Sequence, residues 1–118
     1  MRRGSIVETV NAIHSKTTSP QQVLSESHQR FRETHEWLNA LAQPHYQDAE
    51  EACVKVDRES PLAGVPASVK ECFAVEGLQT TLGISSKCGQ VDVEDAAIVQ
   101  RLKACGVVIV GKSNIPQA

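Results

Sequence analysis

Two places in this 118-residue chain put chemistry-bearing side chains directly after apolar, strand-like backbone. Lys70 closes the stretch Leu62 to Val69, and Lys112-Ser113-Asn114 follows Val107 to Val110. A free lysine has a pKa of about 10.4 and is almost wholly protonated at neutral pH, so it acts as a base only where burial disfavours its charge. The end of a buried strand is expected to supply that desolvation at Lys70. Judged by residue type alone, Lys70 is a solvated strand-end lysine. Ser68 shares its face by alternation, but a serine two residues from a lysine is more often bonded to backbone than nucleophilic. Thr80 and Thr81 lie between Gly77 and Gly83, where any tight loop would use them. Asn114 is expected to bond its own backbone.

Gly106-Val107-Val108-Ile109-Val110-Gly111-Lys112-Ser113 matches the phosphate-loop pattern G-x-x-x-x-G-K-S letter for letter. The context is inverted. A phosphate loop follows a strand, turns its backbone N–H groups to phosphate and opens a helix, whereas these four middle residues are themselves strand-like and Pro116 sits where the next helix would begin. A nucleotide-binding protein is therefore rejected.

The elements that must position these residues are legible in outline. Ser5-Ile6-Val7-Glu8 reads as a capping box, with Ile6, Val10 and Ile13 at helical spacing. Ser19, Pro20 and Gln22 start a second helix, whose face runs through Val23, Ser27 and Phe31 and which ends around Trp37, Leu38 and Leu41. A third, after Pro44, carries Ala49, Ala52, Cys53 and Val56 inward and Asp48, Glu50, Glu51 and Asp57 outward. Residues 62 to 69 form a strand, irregular at Pro66, with Val65, Ala67 and Val69 on one face and Ser68 and Lys70 on the other. Residues 71 to 91 read as a long loop or short irregular strands. Asp92 caps a helix with Glu94 and Asp95 in its first turn, Ala97, Ile98, Leu102 and Cys105 inward and Gly106 as its stop. The run Val107 to Val110 then has the continuous apolar character of a parallel strand buried on both faces. Strand, crossover, helix and strand make the two strands parallel, and ligands of open α/β sheets gather beyond their carboxyl ends, where Lys70 and Lys112 lie.

Pro61-Leu62-Ala63-Gly64-Val65-Pro66-Ala67-Ser68-Val69-Lys70-Glu71 resembles the strand of the amidase signature family that ends in its catalytic lysine. Gly77, Thr80-Thr81 and Gly83 also fall where that family has a glycine, a threonine pair and a glycine. Asp95 opens the helix leading to Gly111-Lys112-Ser113-Asn114-Ile115-Pro116. The resemblance is dense over residues 61 to 117. Lys70-Glu71-Cys72-Phe73 and Asn114-Ile115-Pro116-Gln117 look closer to eukaryotic-type amidases, including fungal ones and fatty acid amide hydrolase, than to the glutaminyl-tRNA amidotransferase subunit. Glu71, Ser113 and Gln117 stand where the family more often has aspartate, threonine and glutamate.

In that family a lysine, a serine in a cis peptide and a nucleophilic serine relay protons, so the resemblance implies Lys70 as the ultimate base in hydrolysis of a carboxylic amide. It places Thr80 and Thr81 at the border of the substrate site. Strand alternation points Glu71 away from Lys70, where a structural salt bridge or hydrogen bond is expected. The implied fold is α/β: N-terminal helices over residues 1 to 60, then over residues 61 to 118 the β-α-β start of a mixed-sheet α/β/α core, incomplete. The serine-rich stretch with both serines and the oxyanion-binding amides is expected shortly after residue 118, so the chain alone is expected to hydrolyse nothing. Two parallel strands without further neighbours would also leave an exposed edge and a tendency to aggregate. The alternative is a non-catalytic binding or assembly domain on the same scaffold. No cofactor is implied; the implied substrate is a small-molecule or lipid amide, and a homodimer of the parent is left open.

Composition sets the remaining bounds. A net charge of -2 with no basic run gives no footprint for nucleic acid or an anionic membrane. With 41% hydrophobic residues but no apolar run of membrane length, the chain reads as globular and cytoplasmic. Cys53, Cys72, Cys88 and Cys105 are widely spaced and none of the four histidines has a partner at metal or catalytic spacing, which argues against zinc and against a disulfide framework. Small buried thiols are expected, and His28 and His35 are expected on helix surfaces.

Overall fold

The computed structural model describes residues 4–116, so Met1-Arg2-Arg3 and the departure at Gln117 lie outside the described residues. Helix α1, Ile6–His14, begins on the expected capping box: Ser5 Oγ accepts the Glu8 N–H at 3.1 Å, and the Glu8 carboxylate accepts the Ser5 N–H at 2.7 Å. Helix α2, Pro20–Leu38, begins on Ser19, whose hydroxyl accepts the Gln22 N–H, and stops where Asn39 turns left-handed. Its buried face is Pro20 and Leu24, with Phe31 packed beside them. Val23 is only half-buried and Leu24 takes the buried position beside it, while Ser27 and Phe31 of the expected face both meet Tyr46. Trp37 and Leu38 lie on the surface, 73% and 54% exposed.

Helix α3, Tyr46–Val54, buries Tyr46, Ala49 and Cys53 and leaves Ala52 in solvent. Between α2 and α3 runs the short strand β1, Gln43–Pro44, which sequence periodicity did not reveal. Strand β2 is Pro66–Lys70 and β3 is Val108–Ser113; they pair in parallel, as expected, and β1 pairs antiparallel on the far side of β3, giving the order β1-β3-β2. Residues 62 to 64, expected as strand, form a turn instead. Gly64 is at φ +73° there, and a Cβ would stand 2.8 Å from the Pro20 ring, so only glycine lets this turn lie against the start of α2.

Helix α4, Ala97–Ala104, starts five residues after Asp92, which does not cap it. Asp92 is drawn away by Thr80 and Lys112, and Asp95 by Lys103 and the Glu76 N–H. The face is rotated from the expected one: Val99 is fully buried, whereas Ile98 is 47% exposed and Ala97 is also in solvent. Gly106, at φ +96°, ends the helix as expected.

Two clusters form the core. Leu24, Leu41, Tyr46, Ala49 and Cys53 pack on Val108 and Val110 at one face of β3. Val69, Val75, Leu78 and Val99 pack with Val107 and Ile109 at the other. The first cluster draws on both sides of residue 60, so the helical segment and the strands share one core. Among the described residues no helix is long and apolar enough to cross a membrane, and the four cysteines are free, Cys72 and Cys88 being exposed where burial was expected.

Candidate functional site

Lys70 is the last residue of β2 and faces Ser113 of β3 in the parallel register. Its backbone is pinned: the Lys70 carbonyl accepts the Phe73 N–H at 3.0 Å, and the next peptide N–H, from Glu71, donates to the Ser113 carbonyl at 3.0 Å. Val69 is buried, while Ser68 and Lys70 on the opposite face are exposed. The alternation is as expected but the burial is not. Helices α2 and α3 cover β3 and leave this end of β2 open, so the Lys70 side chain projects into solvent among the described residues.

Beneath it, on the covered face, lies a polar network. Glu71 is 4% exposed, and its carboxylate accepts the backbone N–H groups of Thr81 and Leu82, the latter at 3.1 Å. Burial alone would raise its pKa. The Thr81 N–H and hydroxyl, the Leu82 N–H and the nearby Lys112 charge outweigh that and hold the carboxyl below its ordinary value. The expected structural role of Glu71 is therefore what the geometry gives it. Leu82, at φ +54°, and Gly83, at φ +73°, shape the turn around the carboxylate.

Lys112 is wholly buried, and its ammonium donates to the Glu71 carbonyl at 3.2 Å, the Gln79 carbonyl at 2.8 Å and the Thr80 hydroxyl at 2.7 Å. The Thr80 hydroxyl in turn donates to Asp92, which lies 3.6 Å from the ammonium. Burial lowers the Lys112 pKa below its ordinary value, against the opposing pull of Asp92 and Glu71. All three donors are used inside the protein, and Lys112 belongs to a strand after which no helix opens among the described residues, so the phosphate-loop match has neither the exposed cation nor the fold of such a site. Sequence reasoning missed this role of Lys112, which the phosphate-loop letters obscure. The signal for it is an apolar run that continues through Gly111 to a lysine at an inward strand position.

Thr80 and Thr81 thus sit in a loop that Glu71 and Lys112 hold by hydrogen bonds, and both are half-buried. Gln43 in β1 joins the same loop: its side-chain amide donates to the Gln79 carbonyl at 2.8 Å and accepts the Gln79 N–H at 2.7 Å, as a neighbouring strand would. The histidines are elsewhere. His28 stacks on Tyr46 with ring centroids 4.3 Å apart, and His35 lies 4.4 Å from Phe31, so both face the α2–α3 contact and not open helix surface. His45 meets Asp48 at 3.1 Å in a groove between α3 and α4 that does not include Lys70.

Residues 22–118 match the sequence profile of the Amidase family. Amidase 2 of Gibberella moniliformis is 36% identical over 100 residues, which covers 78% of this chain and 20% of the relative. A glutamyl-tRNA(Gln) amidotransferase subunit of Streptomyces coelicolor is 43% identical over 61 residues, covering 52% of this chain and 12% of the relative. The likeness runs to both branches, longer in the fungal amidase and denser in the bacterial amidotransferase. Among solved structures, a bacterial aryl acylamidase of the amidase signature enzymes superposes with a TM-score of 0.81 at 26% identity, over 97% of this chain and 26% of its own. The chain thus spans about a fifth of the length of the fungal relative and less of the amidotransferase. It belongs to the amidase signature family, whose members hydrolyse amides.

Proposed function

We propose that this chain supplies the lysine of an amide-hydrolysing site. The Lys70 amine takes a proton through a bridging serine from a nucleophilic serine, whose oxygen then attacks the carbonyl carbon of a small-molecule or lipid amide. The proton returns along the same path to the leaving amine, and water releases the acyl group from the serine. Both serines and the oxyanion-binding amides come from sequence outside these residues, a reading supported by the small share of its relatives that the chain covers. Residues 61–118 are the first part of the catalytic core, and residues 1–60 its helical lead-in. Thr80 and Thr81 border the substrate site. Free thiols on the surface at Cys72 and Cys88 support a cytoplasmic setting.

The observation that carries the reading is the placement of Lys70: a flexible amine at the carboxyl end of a parallel strand, on a backbone pinned from two sides, with its side chain open to whatever completes the site. The exposed lysine acquires the desolvation that a neutral base needs only once that face is covered. In the test, residues 22–118 replace the matching segment of the fungal Amidase 2, and amide turnover is followed. A folded chimera is expected to turn over the amide substrates of its host. A folded but inactive chimera would overturn the proposal. The 118-residue chain alone is expected to show no turnover, and turnover that disappears in Lys70→Ala would show that the missing groups lie within it.

A further inference from the structure

Lys112 is the largest wholly buried side chain among the described residues. A lone ammonium in a protein interior is costly, and it persists only where hydrogen bonds and counter-charge compensate. Here they do. Its three N–H groups reach three positions distant in sequence from it, Glu71, Gln79 and Thr80, while Asp92 and Glu71 supply negative charge. A methionine or leucine would fill the same space. Neither would tie the residue after Lys70 to the loop that carries Thr80 and Thr81.

We infer that Lys112 is the positioning residue that fixes Lys70 relative to the Thr80–Thr81 loop; this rests on the assignment of Lys70 as the base. The peptide between Lys70 and Glu71 is held to β3 by the Glu71 N–H, and the following carbonyl is held by Lys112. The same ammonium fixes the loop through the Gln79 carbonyl and the Thr80 hydroxyl, and the Glu71 carboxylate closes the ring onto the Thr81 and Leu82 amides. Lys70 and the loop are therefore set by one buried cation on the opposite side of the strand. Misplacing a reacting group by a fraction of its contact distance lowers the rate without removing the group itself.

Two readouts separate this inference from the role of Lys70. In the 118-residue chain, Lys112→Met is expected to speed hydrogen exchange of the Thr81 and Leu82 amides by about tenfold or more while α2 amides keep their rates. If Lys112→Met speeds α2 equally, the variant has unfolded globally, and Thr80→Val, which deletes only the hydroxyl between Lys112 and Asp92, is read in its place. In the fungal chimera the same substitution is expected to lower kcat by about tenfold with KM little changed, as loss of alignment requires and loss of substrate binding does not. Unchanged exchange at Thr81 and Leu82 overturns the inference. So does an unchanged kcat in a chimera that Lys70→Ala inactivates. A chimera still active after Lys70→Ala removes the base itself and with it the positioning role, and the exchange rates then report the clamp alone.

Discussion

Replacing Glu71 by glutamine tests the buried network with the smallest change of shape. Two backbone N–H groups, from Thr81 and Leu82, point at the two carboxylate oxygens of a side chain that is 4% exposed. Glutamine offers one oxygen and one NH2, so one donor keeps a weaker, neutral bond and the other faces a donor. Losing charge assistance costs about 1 kcal/mol, and an unsatisfied buried donor costs about 1–3 kcal/mol, so Glu71→Gln is expected to destabilise the chain by about 2–4 kcal/mol. The deficit should depend on pH. Because the folded carboxyl titrates below its ordinary value of 4.5, the unfolded chain takes up the proton first as pH falls. The stability from ionised Glu71 is thus fully present above pH 4.5 and is lost as pH falls from there through the folded value. Glutamine cannot titrate. Urea titrations of both proteins from pH 7 to pH 3 should show the difference constant at first, then narrowing at up to about 1.4 kcal/mol per pH unit. A difference that stays flat to pH 3, or that is absent at pH 7, would refute the electrostatic role given to Glu71.

Gly111→Ala should destabilise by about 1–3 kcal/mol in the same titration, because the backbone is at φ +154° and a Cβ would stand 2.5 Å from the Gln43 carbonyl oxygen; loss of the β1–β3 amide protections should accompany it. Cys53, whose thiol burial and the nearby Glu50 push up to about 11, should resist alkylation at pH 8 while exposed Cys72 and Cys88 react, as peptide mass mapping would show. Lys70→Met should change stability by no more than about 0.5 kcal/mol, since its exposed side chain makes no hydrogen bond among the described residues; a larger loss would mean that Lys70 is part of the scaffold.

Local chemistry was legible wherever it is decided within a few residues. The Ser5–Glu8 box, the Ser19 start and the Gly106 stop all depend on neighbours in sequence, and all three appear where expected. The parallel pairing of β2 with β3 was legible too, from a continuous apolar run and an intervening helix. Asp92 shows the limit. Its position fits a helix cap, but a buried lysine and a threonine hydroxyl compete for the same carboxylate, and neither is near it in sequence. Strand β1 is two residues long and contains a proline, so no periodicity could mark it; it exists because Gln43 and Pro44 meet β3 at a glycine. Lys70 was located by resemblance, and its exposure was unreadable because burial at a strand end depends on which faces other elements cover.

Whether Lys70 is the base is decided by kcat/KM for amide hydrolysis by the fungal chimera before and after Lys70→Ala. A fall of about a thousandfold or more, with the fold retained, is predicted. Activity within about threefold of the parent chimera would contradict it.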